Sequence, residues 1–153
     1  MKRIAAFLVA LLLVATCTVY VSAAGATATM SSATAERGDE VDLTITLADA
    51  PKVKYMVFEL SLPEGITLLS GEWLPSPGDV QVGNLQGAWM TLGEMDTNGA
   101  VVSLKVKVEE TATCGDNAVN FKFYVDQTAE KDANVAETAG VITVAHDWDE
   151  ELT

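Results

Sequence analysis

Histidine and cysteine are nearly missing from this chain, with one His and two Cys in 153 residues, and that scarcity removes whole classes of chemistry. Cys17 falls inside the apolar N-terminal run, so only Cys114 remains beyond it and no disulfide can close within the rest of the chain. Cys114 beside Gly115 reads as a small apolar residue and not a nucleophile, because the one His, His146, lies far off in the C-terminal tail. Zinc sites need clustered Cys and His, which are absent. Basic residues are also scarce: nine Lys and Arg stand against 22 Asp and Glu, a net charge of −13. Nucleic-acid binding rests on neutralising phosphates with cations, so no nucleic-acid partner is expected. The same acidity disfavours anionic membranes and describes a soluble, self-repelling surface. No Gly-rich phosphate loop, metal-ligand spacing or Ser/His pair occurs. No catalytic residue, metal or cofactor is expected, and the chain does not read as an enzyme.

The one long apolar run is at the start. Lys2 and Arg3 precede an almost unbroken run from Ile4 to Val21, and Val21-Ser22-Ala23 then offers the small residues that a signal peptidase reads. Charge, apolar core and small-residue exit define a secretory signal peptide, a helix over Met1–Ala23 cleaved near Ala23 and Ala24. The competing reading is an uncleaved anchor, since the run approaches the roughly 20 residues of a membrane span. Polar interruptions at Thr16, Cys17, Thr18 and Tyr20 favour cleavage. The protein is therefore expected outside the cell, or on its surface if the segment is retained, with no other membrane contact. Lys2 and Arg3 are two of the nine cations and the segment holds none of the 22 acids, so the chain beyond Ala23 carries 7 − 22 = −15.

Beyond Ala23 the dominant period is two. Val41, Leu43, Ile45 and Leu47 alternate with Asp42, Thr44 and Thr46; Met56, Phe58, Leu60 and Leu62 alternate with Tyr55, Val57, Glu59 and Ser61. Val102–Val108 and Val119–Val125 repeat the pattern, and shorter runs cover Thr27–Thr34, Ile66–Leu74, Val80–Val82, Ala88–Gly93 and Val141–Val144. Turn residues punctuate the runs at Arg37-Gly38-Asp39, Pro63-Glu64-Gly65, Pro75-Ser76-Pro77-Gly78, Asp96-Thr97-Asn98-Gly99 and Cys114-Gly115-Asp116-Asn117. The nearest approach to a helix is the Ala-, Glu- and Lys-rich stretch Thr128–Thr138, one or two turns over a loop. About nine short strands with regular turns predict an all-β, two-sheet β-sandwich, a jelly roll with Greek-key connections, over residues 24–144. Ala145–Thr153 reads as an acidic tail or linker.

Strand acids such as Asp42 and Glu59 fall on the solvent side of the alternation. Glu59 and Glu94 are the one pair that neighbouring strands would bring together for glycoside chemistry, and solvating carboxylates explain them better. Asp96-x-Asn98-Gly99 has a fragment of a calcium loop without the remaining ligands, and a hairpin turn accounts for it. What remains is surface recognition. If Met56, Phe58 and Leu60 point inward, Tyr55, Val57 and Glu59 point outward on the same strand. Taking Met90 and Leu92 as inward puts Trp89 and Thr91 outward, and inward Phe121 and Phe123 put Tyr124 outward. Tyr55, Val57, Trp89 and Tyr124 would then form an aromatic patch suited to a protein or glycan partner. The alternative is that loops cover these rings, or that Trp89 is the buried member of its strand. Trp73, beside Glu72 and ahead of the Pro-rich loop, is a second exposed candidate.

The order of motifs resembles the cohesin modules of bacterial extracellular assemblies. The likeness runs through Gly38-Asp39-Glu40-Val41-Asp42-Leu43-Thr44-Ile45-Thr46-Leu47 with Ala50-Pro51, the Met56–Leu62 strand, Pro63-Glu64-Gly65-Ile66-Thr67-Leu68, Gly99–Val108 and Gly115–Phe123. It implies a nine-stranded jelly roll that binds a dockerin module on one sheet face, including the strands matched by Tyr55–Ser61, Trp89–Thr91 and Asn120–Tyr124. It implies a non-catalytic partner module, often in assemblies that degrade plant polysaccharide. The other readings are a carbohydrate-binding module that stacks sugar rings on Trp89 or Trp73, and a structural domain of a surface protein without its own ligand.

Overall fold

The structure, a computed structural model, describes residues 25–125 and 135–146. The signal segment with Ala23 and Ala24, the first part of the Thr128–Thr138 stretch and the tail from residue 147 lie outside the described residues.

Eleven strands follow in order: β1 (Thr27–Met30), β2 (Ala33–Ala35), β3 (Glu40–Ala48), β4 (Val53–Ser61), β5 (Ile66–Trp73), β6 (Asp79–Gln81), β7 (Gln86–Met95), β8 (Gly99–Val108), β9 (Gly115–Val125), β10 (Ala136–Thr138) and β11 (Gly140–Val144). A 3-10 turn, Val82–Asn84, links β6 to β7. Among the described residues no helix is long and apolar enough to cross a membrane. Two sheets form, ordered β10-β1-β3-β8-β5 and β2-β11-β9-β4-β7-β6. Their facing sides enclose one core of alternating residues: Leu43, Ile45 and Leu47 from β3, Met56, Phe58 and Leu60 from β4, Leu104 and Val106 from β8, and Phe121 and Phe123 from β9. The alternation predicted for these four long strands is the observed one except at Val101, expected on the outward row of β8 and fully buried.

The two strands beyond nine come from the ends of the fold. The run expected over Thr27–Thr34 is broken at Ser31-Ser32, which carries the chain from one sheet to the other. β10 and β11 make the same passage, so Ala136–Thr138 is strand where a turn of helix was expected. β1 pairs with β10 and β2 with β11, both in parallel. The crossing is tight. Ser31 Oγ accepts from Thr44 N at 2.9 Å and Ser32 Oγ accepts from Val141 N at 3.0 Å. A Cβ on Gly140 would strike the Ser31 carbonyl and the Met30 side chain.

Bulges decide which side chains face the core. On β5 the register steps between Leu68 and Ser70, so Leu69 is an extra residue and the inward positions become Gly71 and Trp73. On β8, Val101 is inserted opposite the β3 step between Ile45 and Thr46, and Val101 and Val102 are both fully buried.

Among the described residues one buried side-chain polar atom is unsatisfied. Thr97, in the β7–β8 turn, is 3% exposed and its Oγ1 finds no hydrogen-bond partner among the described residues. Thr97→Val keeps the shape and removes the stranded hydroxyl. It should raise stability by about 1 kcal/mol and the melting temperature by about 3–6 °C, read from a thermal circular dichroism scan.

Candidate functional site

The outer face of β9-β4-β7-β6 brings together most of the residues singled out from the sequence. Val57 stands in register between Tyr124 on β9 and Ala88 on β7. Glu59, one step along, lies between Lys122 and Gln86. Tyr55 lies opposite Met90. Register partners share a sheet face, so Tyr55, Val57, Glu59 and Tyr124 present together with Ala88, Met90 and Lys122. Tyr55, Val57 and Tyr124 are half-buried, and Glu59 is exposed.

The parity expected for β7 is reversed. Gly87 and Trp89 are buried, while Met90 is 71% and Leu92 103% exposed. Trp89 is therefore a core residue, 1% exposed, with its Nε1 donating to Ser76 Oγ at 2.7 Å. Thr91 shares the inward parity of Trp89 and is half-buried. Gly87 explains the inversion, since a Cβ there would overlap the Phe58 ring, which occupies that place in the core. Trp73 is corrected in the same way. It is 3% exposed, packs at ring-centroid distances of 5.2 Å on Phe58 and 6.2 Å on Phe123, and donates from Nε1 to the Asp79 carbonyl at 3.0 Å. Both indoles bury large apolar bodies and satisfy their one polar atom.

The residues that take the place of these tryptophans on the outer face are aliphatic and amide. Val53 pairs with Met95 and Tyr55 with Met90, so β7 carries three more residues than β4 between these pairs, and Leu92, within this insertion, is fully exposed. Where β6 joins, a shallow hollow of about 220 Å³ opens between Tyr55, Val57, Ala88, Gln86, Gln81 and Asp79. Gln81 Oε1 accepts from Asn84 Nδ2 at 2.8 Å and from Gln86 Nε2 at 3.2 Å, and Gln81 Nε2 donates to Asp79 Oδ2 at 3.3 Å. The alternation of Val80 with its neighbours could have placed Asp79 and Gln81 outward. Met90 and Leu92 could not be separated from Trp89 by parity, because both faces of that strand carry large apolar side chains.

Chemistry beyond recognition finds little support in the geometry. Glu59 pairs with Gln86, whereas Glu94 sits beside the Val53–Met95 pair at the other end of β4. Six residues at about 3.3 Å each put them about 20 Å apart, well beyond the separation that either glycosidase mechanism uses. The Asp96 loop is a turn: Asp96 Oδ1 accepts from Asn98 N at 3.0 Å and from Asn98 Nδ2 at 2.9 Å. Asn98 in turn clasps the β3–β4 loop through Ala50 N and O at 2.9 and 3.0 Å. The backbone and then the side-chain bond from Asn98, with a smaller attraction from Lys52, hold the Asp96 carboxyl below its ordinary 3.8. The ionised form is thus favoured by folding. Its contribution is present above pH 3.8 and is lost as pH falls through the lower folded value. Among the described residues no group of three or more His, Cys, Asp or Glu is placed to hold a metal ion.

No family model and no curated protein matches the chain, but solved structures do. The third ScaB cohesin of R. flavefaciens, in complex with a group 1 dockerin, matches with a TM-score of 0.67 and 19% identity, over 80% of this chain and 98% of that one. A non-cellulosomal cohesin from the hyperthermophilic archaeon Archaeoglobus fulgidus gives 0.61 and 19%, over 84% and 96%. A type I cohesin–dockerin complex from Clostridium thermocellum gives 0.60 and 14%, over 78% and 99%. The chain has the cohesin fold.

Proposed function

We propose that this chain is an exported, non-catalytic binding module that captures a dockerin-like protein on the outer face of β9-β4-β7-β6, as part of extracellular polysaccharide degradation. The observation that carries the reading is the apolar row Tyr124–Val57–Ala88, with Tyr55 and Met90 beside it, on a fold shared with cohesins, several of which were solved with a dockerin. A hydrogen-bonded sheet face offers preorganised side chains, and Tyr and Met are enriched where protein surfaces meet. Cohesin resemblance in the sequence points to the same strands. The carbohydrate-module alternative is left without the two rings it named, since Trp73 and Trp89 are both interior.

The test is binding of purified dockerin modules to the secreted domain by calorimetry. Tyr55→Ala should weaken binding by about 10-fold, about 1.4 kcal/mol, with the melting temperature changed by less than about 2 °C. A large melting drop would place Tyr55 among the groups that hold the fold. Unchanged binding at an unchanged melting temperature would remove this face from the interface.

A further inference from the structure

The hollow between β4, β7 and β6 has a chemical character of its own. Its floor is apolar, made by Val57 and Ala88 with the Tyr55 side chain alongside, and its rim is polar, with Gln81, Gln86 and Asp79. At about 220 Å³ it has room for one long side chain. Asp79 supplies the only formal charge among the lining residues. Its register partner across β7 is Ala88, so no cation stands opposite it. Glu59, the next acid on this face, is placed otherwise, with Lys122 directly across in register. The Gln81–Asn84–Gln86 amide chain fixes the rim and aims Gln81 Nε2 at one oxygen of the Asp79 carboxylate, Oδ2. The whole chain carries −13, and its field favours an approaching cation.

Resting on the docking reading above, we infer that this hollow is a specificity pocket for a single basic side chain of the partner. The methylene stem of a Lys or Arg lies over Val57 and Ala88, and its cationic head meets Asp79 at the rim. Long basic side chains divide in this manner between an apolar stem and a charged tip. Covering by the partner would exclude water, so the contact gains strength that an exposed pair lacks. Asp79 is then a specificity-determining residue of the binding face, selecting partners that offer a cation there.

Asp79→Asn tests this cleanly, because Asp79 holds Trp73 through its backbone carbonyl and not its carboxylate, so the fold survives the change. The probe is a panel of purified dockerin modules, measured against wild type, Asp79→Asn and Tyr55→Ala. For modules that bind wild type, Asp79→Asn should weaken binding by about 30-fold, about 2 kcal/mol, and flatten its salt dependence. Replacing one Lys or Arg of the module by Met should reproduce the loss in wild type and cost nothing further in Asp79→Asn. Equal binding by wild type and Asp79→Asn, with Tyr55→Ala impaired, overturns the pocket and leaves the docking reading standing. Binding by no module, or retention on insoluble glucan or xylan in its place, overturns the docking reading and the pocket with it.

Discussion

Trp73→Ala is expected to lower the unfolding free energy by about 3–5 kcal/mol, a large part of the 5–15 kcal/mol that a domain of this size holds. Trp73 fills the space between Phe58 of β4 and Phe123 of β9 and so ties the end of β5 to the opposite sheet. Deleting the indole leaves a cavity that the tightly paired strands around it cannot close. It also strands the Asp79 carbonyl, which now accepts from Trp73 Nε1. Chemical denaturation followed by circular dichroism should show the midpoint fall steeply. Trp73→Phe should recover most of the packing while still lacking the N–H donor. An exposed Trp73 would instead give a change within about 0.5 kcal/mol, so a near-unchanged midpoint would refute the burial.

Gly65→Ala is the second large effect. Gly65 takes a φ of +84° in the turn between β4 and β5, a region costly to residues with a Cβ. Its Cα also faces the backbone of Ala112, and an added methyl would collide with the Ala112 N, Cα and Cβ. Neither partner is the free end of a flexible side chain. The Gly65 carbonyl meanwhile accepts from Glu109 N at 2.7 Å, which pins the turn to the end of β8. Strain and overpacking together should cost about 2–4 kcal/mol. Gly83 provides the control: it has open space where a Cβ would go, and Gly83→Ala should leave the same denaturation curve almost in place.

These two positions also mark how far the fold was legible in the chain. Gly65 and the other turn glycines were visible because punctuation between period-two runs is local. The inward rows of β3, β4, β8 and β9 were visible because each run keeps one strongly apolar parity for most of its length. Trp73 was not, because Leu69 inserts one residue into β5 and every later side chain changes face. Trp89 was misread for a different reason. Gly87 contributes no hydrophobic weight to its parity, although it is the position over which Phe58 packs. Of the candidate surface, Tyr55, Val57, Glu59 and Tyr124 share a face because β4 and β9 alternate cleanly. Met90, Leu92 and Asp79 needed the register itself. The passage of both chain ends between sheets, which adds two strands, depends on parallel pairings between residues about a hundred apart, and no local pattern encodes those.

Those parallel pairings set how the domain answers a mechanical load. A pull on the two ends of the described chain enters at β1 and at β11, each parallel to a strand from the opposite end of the chain, β10 and β2, so the hydrogen bonds of both pairs are loaded in shear. A pull applied across a sequential antiparallel pair, such as β6–β7 from its open end, would break its bonds one after another at lower force. Tension along the ends of the described chain is thus met in shear, whereas tension across the β6–β7 edge, where Asp79 lies, is met bond by bond.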